Sequence, residues 1–230
     1  MVESHEFKEP MNKKEKYKKI YLKSTGIFLF LVGLIAIFLS FNRGAPSQAL
    51  YFCYIGLLII GAGIFFENIY FILTQINILL IPLIVWDIDY FYQLFSGKIL
   101  WNLTNYMFNY ERSWLADLVS LQHIYIIPLS LLAIYFIHLI KNSRKERKKQ
   151  GKMLTRKKAW IFSLVQLTLL FILTKIFTLK SDNINWVYSQ EIIDVVFPWP
   201  YFITWFLFFG IISVATNYLL NIALDKFNKS

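Results

Sequence analysis

The sequence predicts an all-α membrane protein, a polytopic bundle of six transmembrane helices with both termini in the cytoplasm. The chain is 57% hydrophobic and 19% aromatic but only 17% charged, whereas an average soluble domain is about 25% charged. Its apolar residues fall in long uncharged stretches, each close to the roughly 20 residues that a helix needs to cross the hydrocarbon. The aromatic content excludes intrinsic disorder, and a single cysteine, Cys53, excludes a disulfide scaffold.

Six apolar stretches predict the spans in chain order. The first four are bounded by charged residues at both ends, the fifth begins after a basic loop, and the sixth is entered at Pro198 and Pro200. The predicted spans are 24–42, 48–66, 70–95, 119–140, 159–179 and 200–223. One transmembrane domain, 24–223, therefore lies between a basic tail of residues 1–23 and a short tail of residues 224–230.

Lysine and arginine are concentrated on one side of this six-span arrangement. Residues 1–23, the 141–158 loop and residues 224–230 together hold 19 of the 24 basic residues. The positive-inside rule places these segments in the cytoplasm of a protein of the cell membrane. The basic loop is expected to contact anionic lipid headgroups. Nucleic acid is not an expected partner, because the loop lacks aromatic residues interleaved for base stacking.

Four ionisable residues interrupt the apolar stretches, and such residues are costly enough in lipid to need a reason. They are Asp87, Asp89, His123 and Lys175. A helix rise of about 1.5 Å per residue places all four in the outer half of the bundle. The last outer loop adds three further members to this predicted polar cluster: Asn183, Asn185 and Trp186.

Each of these residues also has a structural interpretation. Lys175 is explained by a side chain that reaches the interface from the end of its span. Asp87 and Asp89 are two positions apart, so a helix cannot direct both at one point; one of them is expected to mark the end of the span. His123 is equally compatible with a packed, hydrogen-bonded histidine, and Cys53 with a buried structural cysteine.

Covalent catalysis needs a nucleophile beside a base. His123 is the histidine at a suitable depth, and Cys53 lies within about 5 Å of the same depth by helix rise. Ser120 shares a helix face with His123 and is the alternative nucleophile, whereas Thr74 lies too deep. Phosphate-loop, CxxC, HExxH and GxSxG motifs are absent from the sequence. No cofactor or metal is therefore expected.

Four sequence blocks resemble an uncharacterised family of bacterial six-span integral membrane proteins, over the region from about residue 80 to the C-terminus. The Asn-Ile-Asn-Trp-Val block is the most specific of them. The blocks are Trp86-Asp87-Ile88-Asp89, Leu103-Thr104-Asn105-Tyr106-Met107-Phe108, Ser120-Leu121-Gln122-His123 and Asn183-Ile184-Asn185-Trp186-Val187-Tyr188.

The layout also resembles the androgen-induced-gene type of membrane lipid hydrolases and their acyltransferase relatives. In that group a histidine early in span four is followed by proline, as His123 is followed by Pro128. The segment Phe52–Leu57 is similar to the hydrolases' nucleophile block, with Cys53 in place of threonine and Gly56 in place of aspartate. The triplet Trp186–Tyr188 is similar to a further block, with Ser189 in place of proline. The resemblance implies Cys53 as nucleophile and His123 as base.

Two functions follow as expectations. The first is a lipid ester hydrolase or acyltransferase at the outer leaflet, in which Asp87 or Asp89 orients the imidazole of His123. The second is a non-enzymatic accessory, lipid-binding or carrier protein that has the same polar cluster. The aromatic 99–117 segment is expected either to lie in the interface or to cover a lipid-facing pocket. Membrane lipids are the expected partners, and a protein partner or a second copy remains open.

Overall fold

A computed structural model describes residues 13–108, 113–143, 158–189 and 200–227. The regular secondary structure in these parts of the chain is entirely helical, without a strand. Their α-helices are α1 (Lys13–Asn42), α2 (Phe52–Phe65), α3 (Ile69–Ser96), α4 (Trp114–Ser120), α5 (Gln122–Ser143), α6 (Ala159–Phe177) and α7 (Tyr201–Phe227). Short 3-10 helices occupy Pro46–Leu50, Asn105–Phe108 and Ile184–Trp186.

Five of the described helices, α1, α3, α5, α6 and α7, are long and apolar enough to cross a membrane. This confirms the prediction of an all-helical membrane protein. The predicted second span is the exception, because α2 has only 14 residues. A helix of that length covers about 21 Å, less than the hydrocarbon thickness of about 30 Å. Residues 46–50 form a 3-10 helix and Tyr51 is extended, so the continuous helix predicted over 48–66 is wrong at its start.

Two further boundaries differ from the prediction. Helix α1 begins at Lys13, so the second half of the predicted basic tail is helical. The predicted span 119–140 is divided at Leu121 into α4 and α5. The central part of the basic 141–158 loop lies outside the described residues.

Helices α1 and α2 form a closely packed pair because glycines face each other across it. A Cβ atom added to Gly26 would lie 2.8 Å from the Gly61 carbonyl oxygen, and one added to Gly61 would lie 2.6 Å from the Phe30 nitrogen. No side chain fits at either position without moving the backbone. Small residues at such contacts are typical of helix packing in membranes, where backbones must approach closely.

Helix α3 is central and contacts α2, α5, α6 and α7. Buried amides fix it to its neighbours: Gln75 and Gln166 exchange two hydrogen bonds of 2.6 and 2.9 Å. The Asn77 amide donates to Ser163 and Asn217, both at 3.3 Å. Pairing polar groups across helices satisfies them where lipid and core offer no water. This amide layer precedes, along α3, the residues from Leu79 to Trp86 that line the candidate site.

Candidate functional site

A cavity of about 550 Å³ lies where the start of α2, the middle of α3 and the break between α4 and α5 meet. Its walls are mostly apolar and aromatic. Five of the eight site residues predicted from the sequence line it. They are Cys53, His123, Asn183, Asn185 and Trp186. Cys53 and His123, which the depth estimate places close together, thus line the same cavity.

Cys53 is a half-buried residue in the first turn of α2. The residue before this helix, Tyr51, provides no side-chain cap. Asn185 supplies the missing partner from the 183–189 loop: its Oδ1 accepts from the Phe52 N–H at 2.9 Å, and its Nδ2 donates to the Leu50 carbonyl at 2.8 Å. One asparagine thus caps the helix start and fixes the residue before Cys53.

The loop that carries Asn185 is held in an unusual backbone conformation. Asn183, Asn185 and Trp186 all have positive φ values, of 39°, 54° and 57°. Asparagine tolerates this region, whereas tryptophan rarely adopts it. Hydrogen bonds fix the loop: Asn183 Oδ1 accepts from the Tyr188 N–H at 3.0 Å, and Trp205 donates from its indole to the Asn185 carbonyl at 3.0 Å. The Asn-Ile-Asn-Trp-Val block is therefore a positioning element for α2.

His123 is oriented by the helix break that precedes it. In a continuous helix the Ser120 carbonyl would accept from the N–H of Ile124, but that N–H donates to Leu121 at 3.1 Å. The Ser120 carbonyl instead lies 2.6 Å from His123 Nδ1. Because a carbonyl only accepts, Nδ1 carries the hydrogen, and Nε2 of the neutral ring holds a free electron pair. Trp86 stacks on the imidazole with ring centroids 4.4 Å apart.

Ser120 does not offer a free hydroxyl to the site. Its Oγ donates to the Ala116 carbonyl at 2.9 Å. Serine hydroxyls bonded back to the preceding helical turn are a common structural arrangement. Of the two nucleophiles considered from the sequence, Cys53 is therefore the better placed.

Asp89 does not line the cavity; its side chain holds the loop that follows α3. Its carboxylate is completely buried and accepts four hydrogen bonds. The donors are the N–H groups of Trp101, Leu103 and Thr104 at 2.7, 2.9 and 2.8 Å, and the Thr104 hydroxyl at 2.8 Å. The expected role of an aspartate in orienting His123 is filled by the Ser120 carbonyl, and Asp89 holds the segment after α3.

Asp87 and Lys175 also lie outside the cavity lining. Asp87 is half-buried on α3, and its Oδ1 has no hydrogen-bond partner in the described part of the chain. Lys175 is exposed on α6, with its Nζ 3.7 Å from the centre of the Tyr188 ring. This position agrees with the interfacial alternative considered for Lys175.

The aromatic segment that follows α3 forms part of the cavity wall. Leu103 and Tyr106 line the cavity, and the Trp86 indole donates to the Tyr106 hydroxyl at 3.1 Å. The Gln93 amide donates to Asn105 Oδ1 at 3.0 Å and ties the same segment to α3. Two residues of the predicted 99–117 segment thus form part of the cavity wall, and residues 109–112 of that segment lie outside the described residues.

Two residues were not selected from the sequence: Arg43, which lines the cavity, and Gln122, which lies outside the lining but next to His123. Arg43 is exposed at the rim of the cavity and donates to Ser113 Oγ at 3.3 Å. Among the described residues, it is the one charged residue that lines the cavity. Gln122 immediately precedes His123 and is completely buried. The sequence offered one signal for Gln122: it is an uncharged polar residue inside an apolar stretch, next to His123. No cluster of three or more potential metal ligands occurs among the described residues.

Comparison with protein-family models, curated proteins and solved structures finds no match for this chain. The geometry of the cavity is therefore the basis on which a function can be assigned. That geometry provides a thiol, an oriented imidazole and largely apolar walls in one place.

Proposed function

We propose that the protein is a membrane enzyme that hydrolyses or transfers the acyl group of a lipid ester, with Cys53 as nucleophile and His123 as general base. The observation that supports this most is that both side chains line one cavity. Covalent acyl transfer requires at least a nucleophile and a base close to each other, and a thiol and an imidazole in one pocket can fill these two roles. The cavity volume of about 550 Å³ is also within the range of about 300–1,000 Å³ that is typical of small-molecule sites.

The chemistry follows from the tautomer of His123. Its Nε2 accepts the proton of the Cys53 thiol, and the sulfur attacks the ester carbonyl carbon. The carbonyl electron pair moves to oxygen, giving a tetrahedral oxyanion. When the oxyanion collapses, the carbon–oxygen bond breaks and the leaving alkoxide takes the proton from the imidazolium. Water in hydrolysis, or a second alcohol in transfer, then attacks the thioester carbonyl carbon and gives its proton to His123 Nε2. The carbon–sulfur bond breaks, the proton returns to the Cys53 sulfur, and the fatty acid or the new ester leaves.

Two structural contacts support these roles. The Ser120 carbonyl keeps Nδ1 protonated and Nε2 free, which is the function of the third member in a nucleophile–base–orienting triad. Asn185 fixes the first turn of α2 and with it the position of Cys53. The resemblance to membrane lipid hydrolases and acyltransferases favours the same assignment of nucleophile and base.

We further propose six membrane crossings, with the 46–50 turn and α2 together forming the second, and with both termini cytoplasmic. The distribution of basic residues supports this orientation, which places the cavity at the outer leaflet. Single cysteines introduced into a Cys53→Ala background test it by labelling intact cells with a membrane-impermeant maleimide. Lys98→Cys is expected to react and Lys229→Cys to remain protected; the reverse pattern contradicts the orientation.

Ester turnover by the purified protein in lipid nanodiscs tests the enzymatic proposal. We expect p-nitrophenyl butyrate cleavage and fatty acid release from phospholipid to fall by at least ~10²-fold in Cys53→Ala and in His123→Ala. Asp87→Asn and Lys175→Met are matched controls, because both remove a charge outside the cavity lining. Equal activity in wild type and Cys53→Ala would refute the proposal.

Lipid binding without chemistry is the second candidate function. The observation that favours it is that Arg43, the one cationic residue among the described residues that line the cavity, lies at the rim of largely apolar walls, an arrangement that suits an anionic headgroup above acyl chains. Retention of bound phospholipid through purification, together with no ester turnover, would support this function over the enzymatic one.

A further inference from the structure

We propose that the protein binds an anionic phospholipid at a second site, a groove between α1 and α2 near the membrane face where α1 begins. The headgroup phosphate would contact lysines on the first turns of α1, and an acyl chain would lie in the groove. This site shares no lining residue with the cavity of Cys53 and His123. The inference therefore does not depend on the proposed ester chemistry.

The groove is a depression of about 250 Å³ on the surface of the α1–α2 pair. Its floor is the close contact between Gly26 and Gly61, where a Cβ atom has no room. Its walls are apolar side chains, four of which are exposed: Ile27, Phe30, Leu31 and Phe66. An acyl chain suits such a depression, because it makes van der Waals contacts with the walls that an empty space lacks.

The depth of the groove in the membrane follows from the length of α1. This helix has 30 residues and covers about 45 Å, whereas the hydrocarbon is about 30 Å thick. The uncharged part of α1 begins at Ser24, directly after Lys23, so the preceding turns extend into the headgroup layer. Gly26, the first residue of the groove lining, lies within one turn of this boundary.

Three lysines lie on the same face of α1 as the groove. Because an α-helix turns about 100° per residue, Lys16 and Lys19 lie within about 40° of the direction of Lys23. Ile27 and Phe30 of the groove lie within about 40° of that direction as well. A stripe of positive charge in the headgroup layer therefore continues into an apolar groove, and basic residues at this level attract anionic lipids.

Lys23 connects the charged stripe to the groove. Its ammonium group donates to the carbonyl of Phe65, the last residue of α2, and lies 3.9 Å from the centre of the Phe65 ring. Phe65 is also a groove wall. Since a lysine ammonium has three hydrogens, two remain for a phosphate oxygen. The contact with Phe65 thus holds a positive charge at the place where a headgroup would lie above a chain in the groove.

Acidic residues reduce the positive charge near this end but do not cancel it. Residues 13–23 contain six lysines and one glutamate, Glu15, which is buried. Glu67 follows Phe66 in the turn between α2 and α3. Six lysines against these two glutamates leave four positive charges. Such an excess favours an anionic headgroup over a zwitterionic one.

A second copy of the chain is the other occupant that an apolar groove could accept. Two copies inserted in the same direction would meet here across a two-fold axis, with the same residues facing each other. The lysine stripes of the two chains would then be juxtaposed, and like charges across an interface oppose association. An anionic lipid has the complementary charge, and the proposal commits to it for this reason.

Native mass spectrometry of the purified full chain tests the site with palmitoyl-oleoyl phosphatidylglycerol and palmitoyl-oleoyl phosphatidylcholine. These lipids have the same acyl chains and differ in headgroup charge. We expect the first phosphatidylglycerol to bind at least about tenfold more tightly than phosphatidylcholine. Lys16→Gln/Lys19→Gln should weaken phosphatidylglycerol binding about 25-fold, which corresponds to about fivefold for each lysine.

Lys14→Gln/Lys18→Gln is the matched control for charge. It removes the same two charges from the same turns, but both residues lie about 140–180° away from Lys23 around the helix. We expect the affinity for phosphatidylglycerol to change by no more than about threefold in this variant.

Ala62→Phe tests the groove, because Ala62 lines it and the added ring would occupy the space of the chain. Phosphatidylglycerol binding should weaken at least about fivefold, the equivalent of roughly ten lost atom contacts. Ala223→Phe is the matched control, since Ala223 is exposed on α7 and outside the groove lining; it should bind like wild type. Ala62→Leu is a second variant if Ala62→Phe does not fold.

Loss of phosphatidylglycerol binding in the groove-face lysine variant and in the Ala62 variant, with both controls unchanged, supports the proposal. Equal binding of the two lipids by wild type overturns it. An equally large loss in Lys14→Gln/Lys18→Gln overturns it in favour of a general surface attraction, and unchanged binding in the Ala62 variant shows that no chain lies in the groove. A wild-type dimer that Ala62→Phe dissociates identifies a second copy as the occupant and overturns it as well.

Discussion

Replacement of Asp89 tests whether the most buried carboxylate among the described residues has a structural or a catalytic role. The side chain accepts four hydrogen bonds from the segment after α3, three from backbone N–H groups and one from the Thr104 hydroxyl. Asp89→Ala removes all four, and because Thr104 is completely buried, water cannot replace the aspartate at the two Thr104 donors. A buried donor left without its acceptor costs about 1–3 kcal/mol, and since several donors lose their acceptor at once we expect a destabilisation of about 3–5 kcal/mol.

Milder substitutions at the same contact are expected to lower the free energy of unfolding by smaller, graded amounts. Thr104→Val removes only the hydroxyl hydrogen bond and is expected to cost about 1 kcal/mol. Asp89→Asn retains one acceptor oxygen but turns an N–H group toward the Trp101 N–H, so an intermediate loss of about 1–3 kcal/mol is expected. Reversible unfolding in mixed micelles of increasing denaturing detergent measures the free energy of unfolding for each variant.

Activity measured on the same samples completes the test of Asp89. The folded fraction of Asp89→Asn should retain acylation of Cys53 within about threefold, since the carboxylate does not line the cavity. If Asp89→Asn abolishes acylation while its unfolding free energy equals that of wild type, the structural assignment is refuted and the original catalytic one is restored.

Three further substitutions have expected outcomes. Asn185→Ala loses the hydrogen bonds to Phe52 and Leu50; we expect about 1–3 kcal/mol lower stability and slower acylation of Cys53 in the folded fraction, and wild-type values for both would contradict the capping role. Asp87→Asn should change the free energy of unfolding by no more than about 0.5 kcal/mol, because the Asp87 Oδ1 has no hydrogen-bond partner in the described part of the chain. A larger loss of stability in the unfolding titration would contradict this and would indicate that the carboxylate has a partner. Gly61→Ala places a Cβ 2.6 Å from the Phe30 nitrogen and should destabilise the protein by about 1–3 kcal/mol, whereas an unchanged unfolding curve would show that α1 and α2 can separate at no cost.

The long helices were predictable because lipid imposes a length and a composition that can be read directly. Helix α3 matches the predicted span 70–95 within one residue at each end, and α6 begins at the predicted residue. The second span was not predictable, because its start is set by Asn185, 133 residues away from Phe52 in the chain. Composition carries no information about such a distant cap.

The candidate site was predictable in part for a similar reason. Helix rise places Cys53 and His123 at a similar depth, and the structure has both on one cavity. The partner of His123 was not predictable, since it depends on a helix break at Leu121 that frees a backbone carbonyl. The structural role of Asp89 was not predictable either, because the local sequence does not reveal that the loop after α3 folds back and encloses the carboxylate.

Mass spectrometry of the intact protein, quenched shortly after mixing with an ester, tests the central claim most directly. The account predicts one acyl group per chain, attached to Cys53 as a thioester that hydroxylamine removes, and formation slowed by at least ~10²-fold in His123→Ala. A protein that acquires no acyl group, or acquires it equally fast in Cys53→Ala, would contradict the assignment of Cys53 as the nucleophile.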